Sequence, residues 1–255
     1  MRDQNRSGEQ TLFGVLVQFT PQLPYQFGFR EPGDCEFRRP WNGAKTEAQN
    51  AVRLVGFDSY DGSRGLAFEP GKQWDYSNYG FILLGAIVEK VSGQSYYDYV
   101  RDHVFKPAGM TRTASDPEDV AVPDRAIGYM SDGDSSKPNT ETLPYRGTSA
   151  GGGYTTVEDL LRFANALTQH KLLNAHYTEL LTTAKPESGD AHYAYGFQDE
   201  TVRGVRSFGH SGGAPGMNGD LRIFPQTGYV VVALANMDRG AQRASSWISE
   251  RLPAK

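Results

Sequence analysis

The chain has 255 residues, of which 38% are hydrophobic and 22% charged, enough apolar material for one large domain or two small ones. Its formal net charge of -4 and pI near 5.8 argue against a nucleic-acid or anionic-membrane surface, because both need a basic face. The single cysteine, Cys35, excludes an internal disulfide and any cysteine-built metal cage. The histidines show no ligand spacing, so we expect no metal and no other cofactor.

The proline and glycine content and the periodicity of the sequence change near residue 65. Residues 1–65 are broken by prolines and glycines and have no regular periodicity, whereas residues 66–255 are far more regular. We therefore predict an atypical N-terminal segment at 1–65 and a main domain at 66–255. No apolar run approaches the roughly 18 residues that a membrane span needs, and no signal-peptide core is present. The default expectation is a cytoplasmic protein without a membrane span.

An apolar stretch at residues 79–91 opens the regular region. It is apolar nearly all round and is followed by Ser-Gly, a pattern that predicts a buried helix. Ser95 stands three residues before an aspartate, and this capping box predicts a second helix that ends before Pro107. Thr156 and Asn174 are the predicted caps of two further helices, the first of them amphipathic.

Strand patterns follow this helical region (79–185). A Pro-Gln-Thr-Gly turn at 225–228 links the last two predicted strands as a hairpin. Residues 230–234 are apolar on both faces, which predicts a central strand covered on each side, and a helix at 239–252 can supply such cover. Helices followed by a sheet and a final helix at 192–252 predict an α+β fold. The predicted strands are residues 193–198, 202–208, 220–224 and 228–236.

The sequence Trp-Asp-Tyr-Ser-Asn at residues 74–78 lies just before the first helix. A helix N-terminus at this point can present the Tyr76 phenol and the Asn78 amide to one cleft. The alternative is structural: Tyr76 packs in the core and Asn78 caps the helix.

The sequence Gly-His-Ser-Gly-Gly occupies residues 209–213, next to a predicted strand. Glycines on an edge strand let a substrate backbone approach closely, and a backbone N–H there can serve as half of an oxyanion hole. Taken alone, His210 fits a structural histidine better than a catalytic one.

A third pattern, Gly-Thr-Ser-Ala-Gly at residues 147–151, matches the G-x-S-x-G of hydrolases. A nucleophile elbow needs a strand before the serine and a helix directly after it. Neither is predicted here, so we interpret the segment as a glycine-rich loop and keep Ser149 as a candidate nucleophile.

Residues 66–252 resemble the C-terminal two-thirds of the penicillin-recognising serine hydrolases. These include class C β-lactamases, D-alanyl-D-alanine carboxypeptidases and β-lactamase-like esterases. Tyr-Ser-Asn at 76–78 resembles the second motif of the family, and Gly-His-Ser-Gly-Gly at 209–213 resembles the third in its histidine form. The resemblance implies a β-lactamase/transpeptidase-like fold and a location that is often extracytoplasmic. Further similar stretches lie at 87–93, 107–111 and 150–154.

The resemblance also implies acyl transfer through a serine ester. Tyr76 would be the general base and later the acid toward the leaving group. Asn78 would hold the substrate amide or the lysine of the family, and His210 would bind the acyl side of the substrate or tune Tyr76. The predicted substrate and oxyanion contacts are Ser211, Gly212 and Gly213, with the Gly213 N–H as a donor to the oxyanion.

One family motif is missing. No Ser-x-x-Lys, which would supply the nucleophile and its lysine, occurs in these 255 residues. Two function classes therefore stay open. The first is a truncated or weakly active serine hydrolase of the esterase, β-lactamase or carboxypeptidase type, acting on a small ester, amide or lactam. The second is a non-catalytic remnant or binding module of the same fold.

Overall fold

The computed structural model of the protein describes residues 68–132 and 135–253. The predicted segment 1–65, with Cys35, lies outside these residues. Helices come first in the described chain, and an antiparallel sheet with a last helix follows, so the predicted α+β class is confirmed. None of the described helices combines the length and the apolar character required to cross a bilayer.

Helix α1, Asn78–Ser92, begins where the sequence predicts a helix. Ser77 is its N-cap and accepts a hydrogen bond from the Gly80 amide at 3.1 Å, and Gly93 ends it at φ 70°. The prediction of a buried helix is wrong, because Gly85 is the one residue of α1 that is buried. Four large hydrophobic side chains of α1 are exposed, since the described elements cover only one side of the helix; these are Tyr79, Leu84, Ile87 and Val91.

A continuous helical stretch follows, built from α2 (Tyr96–Val100), a π-helical turn (Arg101–Phe105) and α3 (Lys106–Ala108). The predicted cap is confirmed, because the Ser95 hydroxyl accepts from the Asp98 amide at 3.1 Å and donates to its carboxylate at 2.7 Å. The predicted end before Pro107 is wrong. Pro107 directly follows the π-helical turn, and the shift of hydrogen-bond register at that turn lets the helix continue through a residue without an N–H.

The remaining described helices before the main sheet are α4 (Val157–Thr168), α5 (Ala175–Thr182) and a 3-10 helix (Pro186–Ala191). Both predicted caps are confirmed. The Thr156 hydroxyl accepts from the Asp159 amide at 3.2 Å, and the Asn174 side chain accepts from the Tyr177 amide at 3.0 Å.

Asp159 ties α4 to the segment that precedes β1. Its fully buried carboxylate accepts hydrogen bonds from the Arg112 amide at 2.7 Å and the Thr113 hydroxyl at 2.8 Å. The half-exposed Arg162 guanidinium donates to the other oxygen at 2.6 Å. The buried charge is therefore compensated on both oxygens.

The described strands form two sheets. A small hairpin pairs β1 (Tyr129–Asp132) with β2 (Ser135–Pro138). The main sheet is fully antiparallel in the order β3-β4-β5-β6. The predicted hairpin turn before β6 is confirmed, with Gly228 at φ 76° donating its N–H to Phe224 at 2.9 Å. The remaining bounds are β3 (Gln198–Val202), β4 (Val205–Ala214), β5 (Met217–Phe224), β6 (Tyr229–Ala235) and the last helix α6 (Gly240–Ser249).

Two predicted strands are placed differently. Residues 193–198 are not a strand; Tyr193 makes a single bridge to Gln198, where β3 begins. Residues 202–208 were predicted as one strand, yet they contain a hairpin turn. Arg203 and Gly204 have φ of 50° and 80°, the two positive values of a turn that matches the twist of paired strands.

Strand β6 is covered as predicted, but among the described strands it is not central. On one face Val230 and Val232 pack into the core that contains Leu167 of α4. Helix α6 also packs on β6, and the alternation of side chains turns Val231 to the opposite face from Val230. Among the described strands β6 is the last of the sheet. An apolar run on both faces therefore indicates that helices cover the strand, but it does not indicate how many strands lie beside it.

Candidate active site

Tyr76 and Asn78 lie at the start of α1. Tyr76 is half-buried, and its ring contacts Phe81 at a centroid distance of 5.6 Å. Ser77 caps the helix, so the alternative of Asn78 as the cap is wrong. In the part of the chain that the structure describes, the side-chain oxygen of Asn78 is buried and has no hydrogen-bond partner. A buried amide oxygen of this kind is able to accept a hydrogen bond from a substrate or another group.

His210 lies on β4 beside Tyr76, with 6.1 Å between the two ring centroids. Its Nδ1 is 2.7 Å from the Ser211 carbonyl oxygen. Because a carbonyl only accepts, Nδ1 carries a proton, and in the neutral ring Nε2 is the acceptor. Burial lowers the pKa of His210 below its usual 6.5, although the hydrogen bond to Ser211 opposes this in part. The imidazole is therefore neutral at pH 7.

Tyr193 completes the group, and no sequence motif singles it out among the 14 tyrosines. Its hydroxyl lies 2.9 Å from His210 Nε2, and its ring meets the rings of Tyr76 and His210 edge-on at 5.6 and 5.7 Å. Trp74 packs on its other side at 5.2 Å. Tyr193 is an aromatic residue in a stretch whose pattern predicts a strand, and this pattern does not indicate a role in the site.

Both phenols of the group are harder to ionise than a free tyrosine. Burial raises the pKa of Tyr76 above 10, and a hydrogen bond from Tyr193 lowers it in part. Burial and the neighbouring Tyr76 raise the pKa of Tyr193. No cation in the described part of the chain lowers the pKa of Tyr76. At neutral pH Tyr76 is therefore a phenol able to donate a proton, and it becomes a base only after losing that proton.

The three residues after His210 lie inside β4. The prediction of an edge strand is wrong for β4 as a whole, because β4 pairs with β3 on one side and β5 on the other. The β3 ladder ends at Gly209, however, while the β5 ladder continues to the end of β4. The pairs with β5 in this region are Ser211 with Asp220, Gly212 with Gly219 and Gly213 with Asn218.

Gly209 is needed because the neighbouring strand comes very close. A Cβ atom at this position would lie 1.8 Å from the carbonyl oxygen of Leu221 and 2.8 Å from its carbonyl carbon. Only a residue without a side chain fits there. Since Gly209 directly precedes His210, this close approach fixes where the histidine leaves the strand.

Ser149 lies in a tight loop and not in a nucleophile elbow, as expected. Thr148 and Gly151 close the loop with backbone hydrogen bonds of 2.6 and 3.1 Å, and Gly151 has φ 149°. The Ser149 hydroxyl is buried and has no hydrogen-bond partner among the described residues. Because no base among residues 68–132 and 135–253 forms a hydrogen bond with it, these residues show no activation of this serine.

The site offers no cage for a metal ion. Across residues 68–132 and 135–253, no group of three or more His, Cys, Asp or Glu side chains is placed to hold one. The chemistry that the described side chains themselves offer is proton transfer and hydrogen bonding to a polar substrate.

A Tyr-x-Asn at a helix start that meets a His-x-Gly strand in an α+β fold defines the class of β-lactamase-like serine hydrolases. The chain belongs to the Beta-lactamase family, whose model matches residues 40–254. The match begins inside the segment 1–65, and the proposed boundary at residue 65 stays a prediction.

Individual relatives agree with this assignment. The Bacillus subtilis (strain 168) protein PbpX, named as a penicillin-binding protein, is 31% identical over 182 residues, which are 70% of this chain and 44% of that protein. The chain thus spans less than half the length of this relative. A penicillin-binding protein structure from Bacillus halodurans is 35% identical with a TM-score of 0.70, covering 74% of this chain and 59% of that one. A D-stereospecific amidohydrolase from Streptomyces sp. is 25% identical with a TM-score of 0.64, covering 75% and 58%.

Proposed function

We propose that this chain forms the cleft of an acyl-transfer hydrolase that acts weakly on a small ester, amide or lactam. The observation that carries the proposal is the contact group in which Tyr76 meets Tyr193 and His210, two residues that lie more than a hundred positions further along the chain. Acyl transfer needs a proton donor and an acceptor around one carbonyl, and this group offers both.

The roles follow from the protonation states. Tyr76, a phenol at neutral pH, would donate its proton to the leaving group. The resulting phenolate would then act as a base, and by accepting a proton it would become the phenol again. The unpartnered oxygen of Asn78 would accept from the substrate N–H. Neutral His210 would hold its neighbours in place, and the Gly213 N–H would donate to the oxyanion.

The missing Ser-x-x-Lys is the reason to expect weak activity. An activated serine forms the covalent intermediate of this mechanism, and its removal from comparable sites leaves only about 10³–10⁴-fold acceleration over water. The neighbours named as penicillin-binding proteins and as a D-stereospecific amidohydrolase suggest lactam and amide carbonyls as the first substrates to test.

The second candidate is a binding module that holds a substrate carbonyl without cleaving it. The absence of Ser-x-x-Lys from the 255 residues favours it. It predicts that a penicillin shifts the NMR signals of His210 but leaves the mass of the protein unchanged.

Mass spectrometry with a fluorophosphonate and a penicillin as probes separates the two candidates. We expect slow formation of one adduct on a single serine, and peptide mapping identifies it, with Ser149→Ala as the first variant to test. Tyr76→Phe should slow the labelling, whereas Tyr177→Phe, a matched change of an exposed tyrosine on α5, should not. No adduct from a folded protein, together with His210 signals that move with the penicillin, would replace the hydrolase by the binding module.

A further inference from the structure

Asn218 on β5 is a buried residue whose side-chain amide holds a backbone group at each end. The residue is 4% exposed. Its Nδ2 donates to the carbonyl oxygen of Gly212 at 2.7 Å, and its Oδ1 accepts from the Gln242 amide at 2.9 Å. Because a carbonyl only accepts and a backbone N–H only donates, these two partners fix which end of the amide faces which. Asn218 therefore joins the end of β4 that lies in the site to the start of α6.

The contact with Gln242 caps α6 from outside the helix. Arg239 occupies the N-cap position with φ 58°, and its side chain makes no capping hydrogen bond. The first N–H groups of a helix have no partner within the helix, and Asn218 accepts one of them. Asn218 thus stabilises α6, and any role at Gly212 has to be separated from this cap by experiment.

The contact with Gly212 sets the direction of the next N–H along β4. The peptide bond between Gly212 and Gly213 is trans, so its C=O and N–H point in opposite directions. The carbonyl points toward Asn218, and the Gly213 N–H therefore points away from β5, toward the edge of β4 along which the β3 ladder ends at Gly209. Asn218 also lies against Gly213, since a Cβ atom there would be 3.2 Å from its Nδ2. The Gly212–Gly213 peptide has little freedom to rotate.

We propose that Asn218 is a positioning residue that aims the Gly213 N–H at the substrate carbonyl, and that it acts through the carbonyl of Gly212. The inference rests on the proposed function, which assigns this N–H to the oxyanion. A donor to an oxyanion is effective because its direction is fixed before the reaction begins. Glycines alone cannot fix a direction, because they have the widest choice of backbone conformation. The side chain of Asn218 supplies the constraint that these two glycines lack.

Two substitutions separate the contact with Gly212 from the cap of α6. Asn218→Asp keeps an acceptor for Gln242 but places a second acceptor against the Gly212 carbonyl, whereas Asn218→Ala removes both contacts. Asn165→Asp, the same change at an exposed residue of α4, is the matched control.

NMR on the full chain, labelled with ¹³C and ¹⁵N, tests the direction of the peptide without any turnover. We expect the Gly212 carbonyl and Gly213 amide signals to move in the same direction in Asn218→Asp and Asn218→Ala. The Gln242 amide proton should move upfield in Asn218→Ala, where it loses its acceptor, but not in Asn218→Asp. None of these signals should move in the control. If Asn218→Ala fails to fold, the comparison of Asn218→Asp with the control still decides.

The rate of labelling by a fluorophosphonate or a penicillin is the functional readout. Both variants at position 218 should label about 10-fold more slowly than the unchanged chain, short of the roughly 10²–10³-fold cost of removing an oxyanion donor. Gly212 and Gly213 signals that stay in place would overturn the role of Asn218, as would moved signals with labelling at the original rate. Either result leaves the proposed hydrolase standing.

If no chain forms an adduct, the hydrolase is wrong and the affinity for the penicillin replaces the rate. Binding about fivefold weaker in Asn218→Asp than in the control, the value of one ordinary hydrogen bond, would support the role of Asn218. Equal affinity, or no binding to any of the chains, would overturn it.

Discussion

Replacing Gly209 by alanine should strongly destabilise the protein, whereas the same change at Gly80 should not. At position 209 the new Cβ would lie 1.8 Å from the Leu221 carbonyl oxygen. Carbon and oxygen atoms pack at roughly 3.5 Å, so β4 and β5 would have to separate by more than about 1 Å. At position 80 the Cβ would be 3.5 Å from Ser77 Cβ, an ordinary contact in the first turn of α1.

The magnitude follows from what the separation breaks. Gly209 pairs with Arg222 in the ladder, and losing about two backbone hydrogen bonds at ~1 kcal/mol each adds to an overpacking cost of about 1–3 kcal/mol. We expect Gly209→Ala to lower the free energy of unfolding by about 3–5 kcal/mol, out of a typical total of about 5–15 kcal/mol. Gly80→Ala should raise it by up to about 1 kcal/mol, because glycine is a poor helix former.

Urea denaturation followed by circular dichroism measures both changes on otherwise identical chains. The ¹⁵N signals of His210 report whether its contact with Tyr193 survives in Gly209→Ala. The reasoning is refuted if Gly209→Ala unfolds within about 1 kcal/mol of the unchanged chain and leaves the His210 signals in place. It is also refuted if Gly80→Ala is the more damaging change.

Three further predictions concern buried groups. Asp159→Ala leaves the Arg112 amide and the Thr113 hydroxyl without their acceptor. Urea denaturation should therefore show a free energy of unfolding lower by about 2–5 kcal/mol, and Asp159→Asn, which keeps one acceptor oxygen, should lower it less. Because burial lowers the pKa of His210, the histidine of the unfolded chain binds a proton more readily than that of the folded chain. The free energy of unfolding should therefore fall as the pH falls below 6.5. His210→Gln should make this dependence on pH shallower in urea titrations at several pH values. Any hydrolysis of p-nitrophenyl esters or nitrocefin should be slow and should drop by about 10²-fold or more in Tyr76→Phe but not in Tyr177→Phe; equal rates would place the activity outside the cleft.

The sequence predicted the local signals of this fold well. Caps such as Ser95 and Thr156 are read from a few neighbouring residues, and the structure confirms them. The turn at Arg203 and Gly204 was missed because arginine rarely adopts a positive φ, so the pair differs from the usual Asn-Gly or Asp-Gly hairpin turn. Periodicity likewise shows that a face is apolar but not which element covers it, and for this reason the burial of α1 was overestimated.

The candidate site was only partly predictable for a related reason. Tyr76 and His210 belong to motifs with distinctive neighbours, and they do lie side by side. Tyr193 has no motif. It enters the group through packing against Trp74 and through the bridge that starts β3, and such contacts between distant residues leave no trace in a single sequence. The hydrogen-bond partner of the half-buried His210 is therefore known only from the structure.

The order β3-β4-β5-β6 also bears on how the protein folds. Every described strand of the main sheet pairs with its neighbour in sequence, so this part of the sheet can form one hairpin at a time with short loops to close. Tyr76 must instead reach His210 across more than half of the chain, a closure with a larger entropic cost. Tyr193, which adjoins β3, should meet His210 early, and α1 should dock last. Pulse-labelled hydrogen exchange would then show β4 and β5 amides protected before those of α1, and the complete cleft would exist only at the end of folding.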